Sequence, residues 1–514
     1  MTRERMDRMK TYSITDTGAL REMNQDYFFA SDDPVGNLPN LYIVADGMGG
    51  HKAGDYASRY TTQRMVASVS RSPGEEPVTI LQEAITTANK LLIEEAAEDE
   101  TKRGMGIYLN PSADGFASIM KTGDYVDKTG LITYMNAVLN SSRNMLCSSR
   151  PRRFGKSYAA QMLSAFYSKG ADAGELFAHL RVANPPEETK EKEKEWYNKY
   201  RNNCDVLFWD MAWFISNAQN IEDTILNLQR DIGKELREAF PDCVTEEVVS
   251  LPEILLTISV KTGHKFLIII DEWDALFREA PENTELQKTY IQLLRALFKG
   301  IQVSRFLCGA YMTGILPIKK YGTQSALTDF TEFTMLEPGP LAPYVGFTED
   351  EVKKLCTGHH MDYEEMRRWY DGYYFDEIGH VYNPNSVIKA VFCGKYSNYW
   401  TQTETYESLR IYIDLNFDGL KECLVDMLGG KRCRVDIGSF QNDMTSMKSR
   451  DDVLTLLVHL GYLGYDADNK EVYIPNEEIR EEFIRAIKNG RRQELVKAIQ
   501  LSDHLLKATI NLHY

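Results

Sequence analysis

Continuously apolar segments alternate with amphipathic helical patterns in the part of the chain that follows residue 105. Apolar strands are predicted at Met145–Cys147, Asp205–Met211, Phe266–Ile270 and Arg305–Gly314, with a long helix at about 221–240. Strands that are apolar on both faces and separated by helices are typical of a parallel sheet covered by helices on each side. The pattern therefore predicts an α/β fold with a parallel sheet at its centre.

Changes in character along the chain predict further divisions. Residues 81–100 have a helical pattern that ends in charged residues, and its apolar stripe comprises Leu81, Ile85, Ala88, Leu92 and Ile93. After residue 347 the sequence becomes helical and aromatic, and residues 456–476 are interpreted as a helix followed by a small hairpin. We predict an incomplete α+β fragment at 1–104, an α/β domain at 105–340, a helical lid at 341–440 and a small helical and hairpin, winged-helix-like region at 441–514.

The segment from Arg150 to Ser157 lies between a predicted strand and a predicted helix, where a phosphate-binding P-loop belongs. Gly155 lets the backbone approach a phosphate, Lys156 can reach the β- and γ-phosphate oxygens, and Ser157 can ligate Mg²⁺. Arg150 occupies the position of the first P-loop glycine, so the Gly-Lys-Ser string by itself also fits a chance loop.

Two carboxylates follow the predicted strand Phe266–Ile270. Asp271 at the end of this strand is suited to holding the shell of a magnesium ion, and Glu272 to orienting an attacking water. Thr313 ends the next strand, from which its hydroxyl can reach a γ-phosphate. The alternatives are an acid pair at a helix N-terminus and an ordinary strand-end hydroxyl.

Composition excludes several classes of protein. The 514-residue chain has a formal net charge of −16 and no evident basic face, which argues against a dedicated nucleic-acid binder. No apolar run approaches the length of a membrane span. The eight cysteines are widely spaced and form no CxxC pair, so we expect reduced, mostly buried thiols and a cytoplasmic location.

Several further strings occur in order along the chain. They are GIYLNP (106–111), YVDKTGLI (125–132), LIIIDEWDALF (267–277), YMTGILPI (311–318), GFTEDEV (346–352), WYDGYYF (369–375), VYNPNSV (381–387) and LLVHLGYLGYD (456–466). Together with the segment 149–157 they resemble the AAA-ATPase-like proteins that usually carry a carboxy-terminal PD-(D/E)XK nuclease domain, and the resemblance covers about 105–514. An arginine at position 150 is normal for that family.

The AAA-ATPase-like resemblance implies an ATP- and Mg²⁺-binding protein that hydrolyses ATP. The nucleotide and metal would be bound by Arg153, Gly155, Lys156, Ser157 and Asp271, while Glu272, Lys156 and Thr313 would act in catalysis. No Glu-x-Lys follows a strand beyond the small hairpin, so the nuclease domain is expected to be missing or truncated.

For two groups of residues the sequence fits more than one role. Arg152, Arg153 and Arg278 are candidates for an arginine finger, and each also fits an ordinary surface arginine. The close-spaced aromatic residues of 369–375 fit either stacking on nucleic-acid bases or the packing of a helical lid. Packing is favoured, because close-spaced aromatic residues more often pack a helical lid onto its neighbour.

A second group of candidate metal- and phosphate-binding residues lies near the amino terminus. An apolar strand at 41–45 leads to Asp46 and Gly47, and Asp26 provides another acid, so that hard oxygen ligands for Mg²⁺ or Mn²⁺ come together. Arg21 could clamp a phosphoryl group. On chemistry alone, a metal site and a plain glycine turn fit equally well.

The strings Arg-x-x-Asn-Gln-Asp (21–26) and Val-Ala-Asp-Gly-Met-Gly-Gly-His (44–51) resemble the PPM-type metal-dependent serine/threonine protein phosphatases over about residues 10–100. The resemblance implies that Asp46 bridges two metal ions and that Arg21 holds the phosphate. The later metal-binding strings of that family are not found in this chain, so the fragment is expected to be a truncated remnant.

Three functional hypotheses follow from these patterns. The first is a P-loop ATPase or nucleotide switch that binds ATP with Mg²⁺, and the second is a metal-dependent serine/threonine phosphatase acting through Asp26, Asp46 and Gly47. The third is a non-enzymatic fusion of two incomplete genes joined near residue 104, with Met105 as an internal start. A nucleotide is the expected partner, and a protein client or a phosphoprotein is a further candidate.

We predict no hydrolysis of p-nitrophenyl phosphate by the purified chain with Mn²⁺, because a dinuclear site needs more carboxylates than this fragment supplies. The measurement is a phosphatase assay beside an Asp46→Asn control. Activity that requires Mn²⁺ and vanishes in the control would contradict the prediction and favour the phosphatase hypothesis.

Overall fold

The computed structural model describes most of the chain from residue 27 to residue 489. The described residues are 27–45, 53–73, 76–98, 106–245, 247–248, 250–318, 320–321, 324–325, 327–400, 417, 419–440, 447 and 449–489. Among them, no helix combines the length and the apolar character that a membrane crossing needs.

A hairpin and two helices form a small unit at the amino-terminal end of the described chain. Its elements are β1 (Tyr27–Ser31), β2 (Leu41–Ala45), α1 (Ala53–Arg71) and α2 (Pro77–Glu98). The strands are antiparallel, and the core of the unit contains Leu41, Ile43, Val69, Ile80 and Ala84. On the opposite face of β2 the side chain of Val44 is 83% exposed. One face of this two-stranded sheet is therefore not covered by the described residues.

The predicted amino-terminal helix is confirmed as α2, but its apolar stripe was partly misplaced. Ile80, Ala84 and Ala88 are buried, whereas the side chain of Ile85 is 54% exposed. The buried face is narrow and made largely of alanine, because α1 packs closely along it.

Five parallel strands form the central sheet, as the apolar pattern predicted, in the order β4-β5-β6-β3-β9. The strands of this part of the chain are β3 (Met145–Ser149), β4 (Asp205–Asp210), β5 (Phe266–Asp271), β6 (Leu307–Gly314), β7 (Lys320–Tyr321), β8 (Gln324–Ser325) and β9 (Thr331–Phe333). The short edge strand β9 had no clear apolar signal in the sequence. The chain crosses from β3 to the far edge at β4, which makes the carboxyl ends of the strands the place where a ligand crevice forms.

Helices cover both faces of the sheet. They are α3 (Asp114–Met120), α4 (Gly130–Val138), α5 (Lys156–Tyr167), α6 (Gly174–Phe177), α7 (Lys190–Tyr200), α8 (Met211–Asn217), α9 (Thr224–Ala239), α10 (Leu251–Thr262), α11 (Ala275–Glu279), α12 (Thr284–Phe298) and α13 (Val303–Phe306). In β5, Ile268 and Ile270 pack into one hydrophobic cluster, and Leu267 and Ile269 into another on the opposite face. This two-sided burial explains why β5 is apolar at every position.

The carboxy-terminal part of the chain combines short helices with two small antiparallel sheets. Its elements are β10 (Phe347–Thr348), α14 (Glu349–Gly358), α15 (Tyr363–Tyr370), β11 (Tyr373–Phe375), β12 (Gly379–Tyr382), α16 (Pro384–Cys393), α17 (Leu420–Leu428), β13 (Cys433–Arg434), α18 (Arg450–His459), β14 (Gly464–Asp466), β15 (Glu471–Tyr473) and α19 (Glu477–Asn489). The sheets have the orders β10-β12-β11 and β13-β15-β14. The predicted helix and hairpin at 456–476 is confirmed as α18, β14 and β15.

Most of the aromatic residues of 369–375 pack in the core. Tyr370, Tyr373 and Phe375 are buried, as the packing interpretation predicted. Tyr374 differs, because its side chain is 50% exposed. Strand alternation explains the difference, since Tyr374 points to the face of β11 opposite to its two neighbours.

One expectation drawn from composition was partly wrong, that of reduced cysteines. In the charged helix α7, Glu193 is buried, and its carboxylate accepts a hydrogen bond of 2.9 Å from Arg181. A disulfide joins Cys423 and Cys433, although six other described cysteines are free. The two bonded cysteines have a sequence separation of 10, a spacing that by itself gave no signal for a disulfide.

A half-buried ion pair ties the helix α14 to the segment before α4. The Nζ atom of Lys128 lies 2.6 Å from Oε2 of Glu351 and donates to the carbonyl of Pro343 at 2.8 Å. Burial lowers the pKa of Lys128, and Glu351 opposes that shift. Since breaking a partly desolvated pair leaves one charge uncompensated, this contact constrains how the carboxy-terminal part packs on the sheet.

We expect a His459→Phe variant to lose less stability in acid than the wild type. Burial and the nearby Arg150 guanidinium lower the pKa of His459 to about 3, so the folded ring stays neutral where an unfolded histidine is protonated. Between about pH 6.5 and pH 3 the unfolded chain therefore binds the extra proton, and stability falls as the pH is lowered. Between pH 8 and pH 5 this one group accounts for about 2 kcal/mol.

Thermal or urea unfolding of the full chain at the two pH values measures this difference. The phenylalanine ring keeps a stacking partner for Phe440, whose ring centroid lies 5.6 Å from that of His459. The exposed His179, changed to glutamine, is the control. An equal loss of stability in the wild type and the His459 variant would refute the prediction.

Candidate nucleotide site

The loop that joins β3 to α5 has the backbone of a phosphate-binding turn. Gly155 is the N-cap of α5 and has a φ of +85°, a conformation that glycine adopts without steric cost. A Cβ atom at this position would meet no heavy atom within 4 Å, so the backbone angle rather than crowding requires the glycine. The amide groups at the start of α5 are consequently open toward the side where an anion would bind.

Lys156 lies at the first turn of α5 and points back along the loop. Its Nζ atom donates a hydrogen bond of 2.7 Å to the carbonyl of Pro151, and the side chain is buried. Burial lowers the pKa of Lys156 to about 8, against the attraction of Asp274, Asp271 and Glu272. The lysine is thus a buried cation placed beside a group of acids.

Three of the predicted site residues lie close together. The Oδ1 atom of Asp271 accepts a hydrogen bond from the Oγ1 atom of Thr313, and the hydroxyl of Ser157 lies near enough to the Asp271 carboxylate to lower its pKa. Burial raises the pKa of Asp271, although both hydroxyls act in the opposite direction. The structure therefore brings together the ends of β5 and β6 and the start of α5.

Glu272 is held in an unusual backbone conformation. Its φ is +51°, and its amide donates to Oγ1 of Thr313 at 3.2 Å. Its Oε2 atom accepts a hydrogen bond of 2.7 Å from Nη2 of Arg278. Positive φ at a residue other than glycine is concentrated at functional sites, where surrounding contacts compensate the strain.

The structure accounts for two of the candidate arginine fingers within the chain itself. Only 10% of the Arg278 side chain is exposed, and its charge faces Glu272 and Asp274. Burial lowers the pKa of Arg278, but the two acids outweigh this effect and leave it raised. Arg153 has a φ of +67° and donates from Nη1 to the carbonyls of Tyr399 and Trp400 at 3.3 and 3.1 Å. Arg152 is exposed.

Sequence reasoning missed two acids at this site. Asp210 ends β4 in register with Asp271, and burial together with Asp271 raises its pKa to about 6. Asp271 was predicted because it follows an apolar strand, and Asp210 could have been predicted for the same reason. Asp274 is buried and accepts hydrogen bonds from the amides of Ile315 and Leu316 at 3.0 and 2.9 Å, which no sequence signal indicated.

The remaining P-loop side chains contact the carboxy-terminal part of the chain. The ring of Phe154 is buried edge-to-face against Tyr373, with centroids 5.4 Å apart. The guanidinium of Arg150 is buried and lies 5.1 Å from the ring centroid of Phe375. Arg150 therefore has a packing role on the far side of the loop, where a glycine would leave a void.

Other predicted site residues cannot be placed. Arg21, Asp26, Asp46 and Gly47 lie outside the described residues. Within the described ranges, no group of three or more His, Cys, Asp or Glu side chains could hold a metal ion. At the P-loop, the Ser157 hydroxyl and the Asp271 carboxylate form a pair of hard oxygen donors, the type that Mg²⁺ prefers.

Comparison with characterised proteins gives one partial match at the amino-terminal end. The chain is 37% identical over 101 residues to the serine/threonine phosphatase Stp of Listeria monocytogenes serotype 4b, and 36% identical to that of Listeria innocua serovar 6a. The match covers 18% of this chain and 38% of each relative. The chain therefore spans well under half the length of these phosphatases.

Two solved ATPase-type structures show a weak overall likeness. The Walker-type ATPase PABY2304 of Pyrococcus abyssi is 12% identical, with a TM-score of 0.32 and coverage of 66% of this chain and 91% of its own. The Aeropyrum pernix ORC2 protein, solved as ADPNP–ADP complexes, is 13% identical, with a TM-score of 0.32 and coverage of 73% and 97%. These scores are too low to carry an argument, so the fold assignment rests on the sheet and loop described above.

The family comparison covers the region around the P-loop. Residues 112–323 match the model of a family described as predicted AAA-ATPase, and this range contains the loop at 150–157, the acids at the end of β5 and Thr313. The range also spans the first four strands of the parallel sheet in chain order. Residues 112–323 are therefore an AAA-ATPase-like segment.

Proposed function

We propose that this chain binds ATP with Mg²⁺ at the loop of residues 150–157 and hydrolyses it. The observation that carries the proposal is the hydrogen bond of Thr313 to the Asp271 carboxylate, with the Ser157 hydroxyl nearby and the buried Lys156 beside it. A cation for the phosphates, oxygen donors for a metal ion and a strained glutamate are thereby gathered at one end of the sheet.

In this proposal each side chain has a separate task. Amides at the start of α5 and the Lys156 ammonium bind the phosphate oxygens, while Ser157 and Asp271 are the residues that would hold Mg²⁺. The metal ion, when bound, neutralises charge on the phosphates. Thr313 orients Asp271 by the hydrogen bond between their side chains, and therefore acts through the acid.

Glu272 is proposed to orient the attacking water. Its side chain is 37% exposed, the most accessible of the acids around Lys156, and Arg278 fixes one of its oxygens at 2.7 Å. The other oxygen can accept a hydrogen bond from water. Arg278 would keep the glutamate oriented through this hydrogen bond.

Arg153 is less suited to nucleotide binding than the sequence suggested, since its guanidinium donates to two carbonyls of the carboxy-terminal part. We retain it as a proposed link between the P-loop and that part. The division into segments at 104, 340 and 440, a cytoplasmic location and a protein client likewise remain proposals. A phosphatase activity rests on the 37% identity over 101 residues and is tested by the assay given above.

We expect Lys156→Ala to weaken ATP binding by about tenfold or more, because the mobile cation beside the β- and γ-phosphates is lost. Isothermal titration calorimetry with Mg²⁺–ATP is the measurement. Lys121→Ala, which removes an exposed lysine outside the site, is the matched control and should bind as the wild type does. Equal affinity of the Lys156 variant and the wild type would rule out the P-loop assignment.

Glu272→Gln should keep ATP binding but lower turnover by about 100-fold or more, because an amide polarises water far less than a carboxylate. Phosphate release under single-turnover conditions is measured beside calorimetric binding. Glu279→Gln, which changes an exposed glutamate at the end of the short helix α11 that follows Glu272, is the control for charge. Wild-type turnover by the Glu272 variant would remove this residue from the proposed mechanism.

A further inference from the structure

A groove outside the nucleotide site lies where two small sheets and the central sheet meet at their edges. Its cavity has a volume of about 800 Å³ and is bordered by β9 with the turn that follows it, the hairpin β11–β12 and the hairpin β14–β15. This volume is in the range that accommodates several side chains or a drug-sized molecule. The proposed ATPase chemistry assigns no role to this groove.

The exposed charged side chains of the groove are mostly acidic. Four exposed carboxylates line it, and none of them forms a hydrogen bond or an ion pair with a described residue: Glu337, Asp376, Glu377 and Asp468. The basic side chains of the lining already have acidic partners, Arg432 with Asp466 and His380 with Asp371 at 2.9 Å. Glu377 also interacts electrostatically with the buried Arg150 guanidinium, so a ligand in this groove would meet an excess of negative charge rather than four wholly unbalanced acids.

Aromatic side chains accompany these acids. Tyr374 extends into the groove from β11 and is 50% exposed, and the half-buried rings of Tyr465 and Tyr473 lie on the β14–β15 side. A guanidinium or ammonium group can pair with a carboxylate while its alkyl stem packs on an aromatic face. The lining already contains one such arrangement, since the guanidinium of Arg432 lies 4.6 Å from the ring centroid of Tyr473.

We propose that this groove binds an extended, lysine- or arginine-rich segment of a partner protein. Charge complementarity selects such a partner, because a phosphate-rich ligand such as a nucleic acid would be repelled by the four acids. The exposed tyrosine adds a contact that a simple counter-ion atmosphere would not use. The proposal concerns a surface distinct from the P-loop and does not depend on ATP hydrolysis.

The floor of the groove nevertheless touches the residues that open the P-loop. Oε1 of Glu332 accepts a hydrogen bond of 3.1 Å from the Ser149 hydroxyl, and the ring of Phe375 lies over the Arg150 guanidinium. Both Glu332 and Phe375 also line the cavity. A segment bound in the groove would therefore contact side chains that hold the start of the nucleotide-binding loop.

The test is a fluorescence anisotropy titration of the full chain with a fluorescein-labelled Arg-Gly-Tyr-Arg-Gly-Tyr-Arg peptide. Binding is expected for this peptide and not for the analogue with glutamate in place of each arginine. The Asp376→Asn/Glu377→Gln double variant should bind the peptide roughly fivefold or more weakly. Tyr374→Ala keeps the charge and should also weaken binding, which a diffuse negative surface would not explain.

The matched control is Glu191→Gln/Glu195→Gln, which removes two exposed carboxylates from α7 and leaves the groove intact. It should bind the peptide with wild-type affinity, and thermal unfolding verifies that every variant is folded. Equal loss of affinity in the groove and control variants would overturn the proposal, as would the absence of peptide binding or preferential binding of the glutamate analogue or duplex DNA. The titration is run without nucleotide. Its result therefore tests peptide binding even if the chain does not hydrolyse ATP.

Discussion

The buried carboxylate of Asp271 is the contact on which the arrangement of the candidate site depends. It accepts a hydrogen bond from the hydroxyl of Thr313 and lies near the hydroxyl of Ser157, so the ends of two strands and the first turn of α5 meet at one carboxylate. Burying a carboxylate is costly unless hydrogen bonds compensate it, and each of these hydroxyls supplies part of that compensation. The separation between these elements is therefore restrained at the point where phosphate chemistry would take place.

The P-loop is constrained from its other side as well. Phe154 packs against Tyr373, and Arg150 lies over Phe375, so aromatic residues of the carboxy-terminal part support the loop from behind. The Lys128–Glu351 pair fixes the neighbouring helix α14 to the same body. Because cores are closely packed and transmit displacement, a movement of the carboxy-terminal part would reach the loop through these contacts.

The amino-terminal unit differs in kind from the central one. Its described core consists of a hairpin and two helices, and Val44 on the second strand faces away from that core. An uncovered strand face of this sort is stable only when something else shields it or when the helices supply enough burial. Its likeness to the Listeria phosphatases covers 38% of their length, which makes the unit a part of such a fold at most.

The sequence by itself determined the parallel sheet and the chemistry of the P-loop. Strands such as β5 are apolar at every position because helices cover both of their faces, and this is visible without a structure. Gly155, Lys156 and Ser157 were identifiable because phosphate binding needs those residue types in that order. The acid at the end of β5 followed from the rule that ligands bind at the carboxyl ends of parallel strands.

Only the tertiary structure decided what the neighbouring residues do. Arg278 fits a surface arginine by sequence, yet it faces Glu272, and Arg153 bonds to carbonyls more than 200 residues away along the chain. Tyr374 is exposed between two buried aromatic neighbours, a distinction that depends on which face of β11 meets the core. Local sequence patterns report periodicity and residue chemistry, whereas these roles depend on long-range packing, which sets the distance between segments that no local pattern connects.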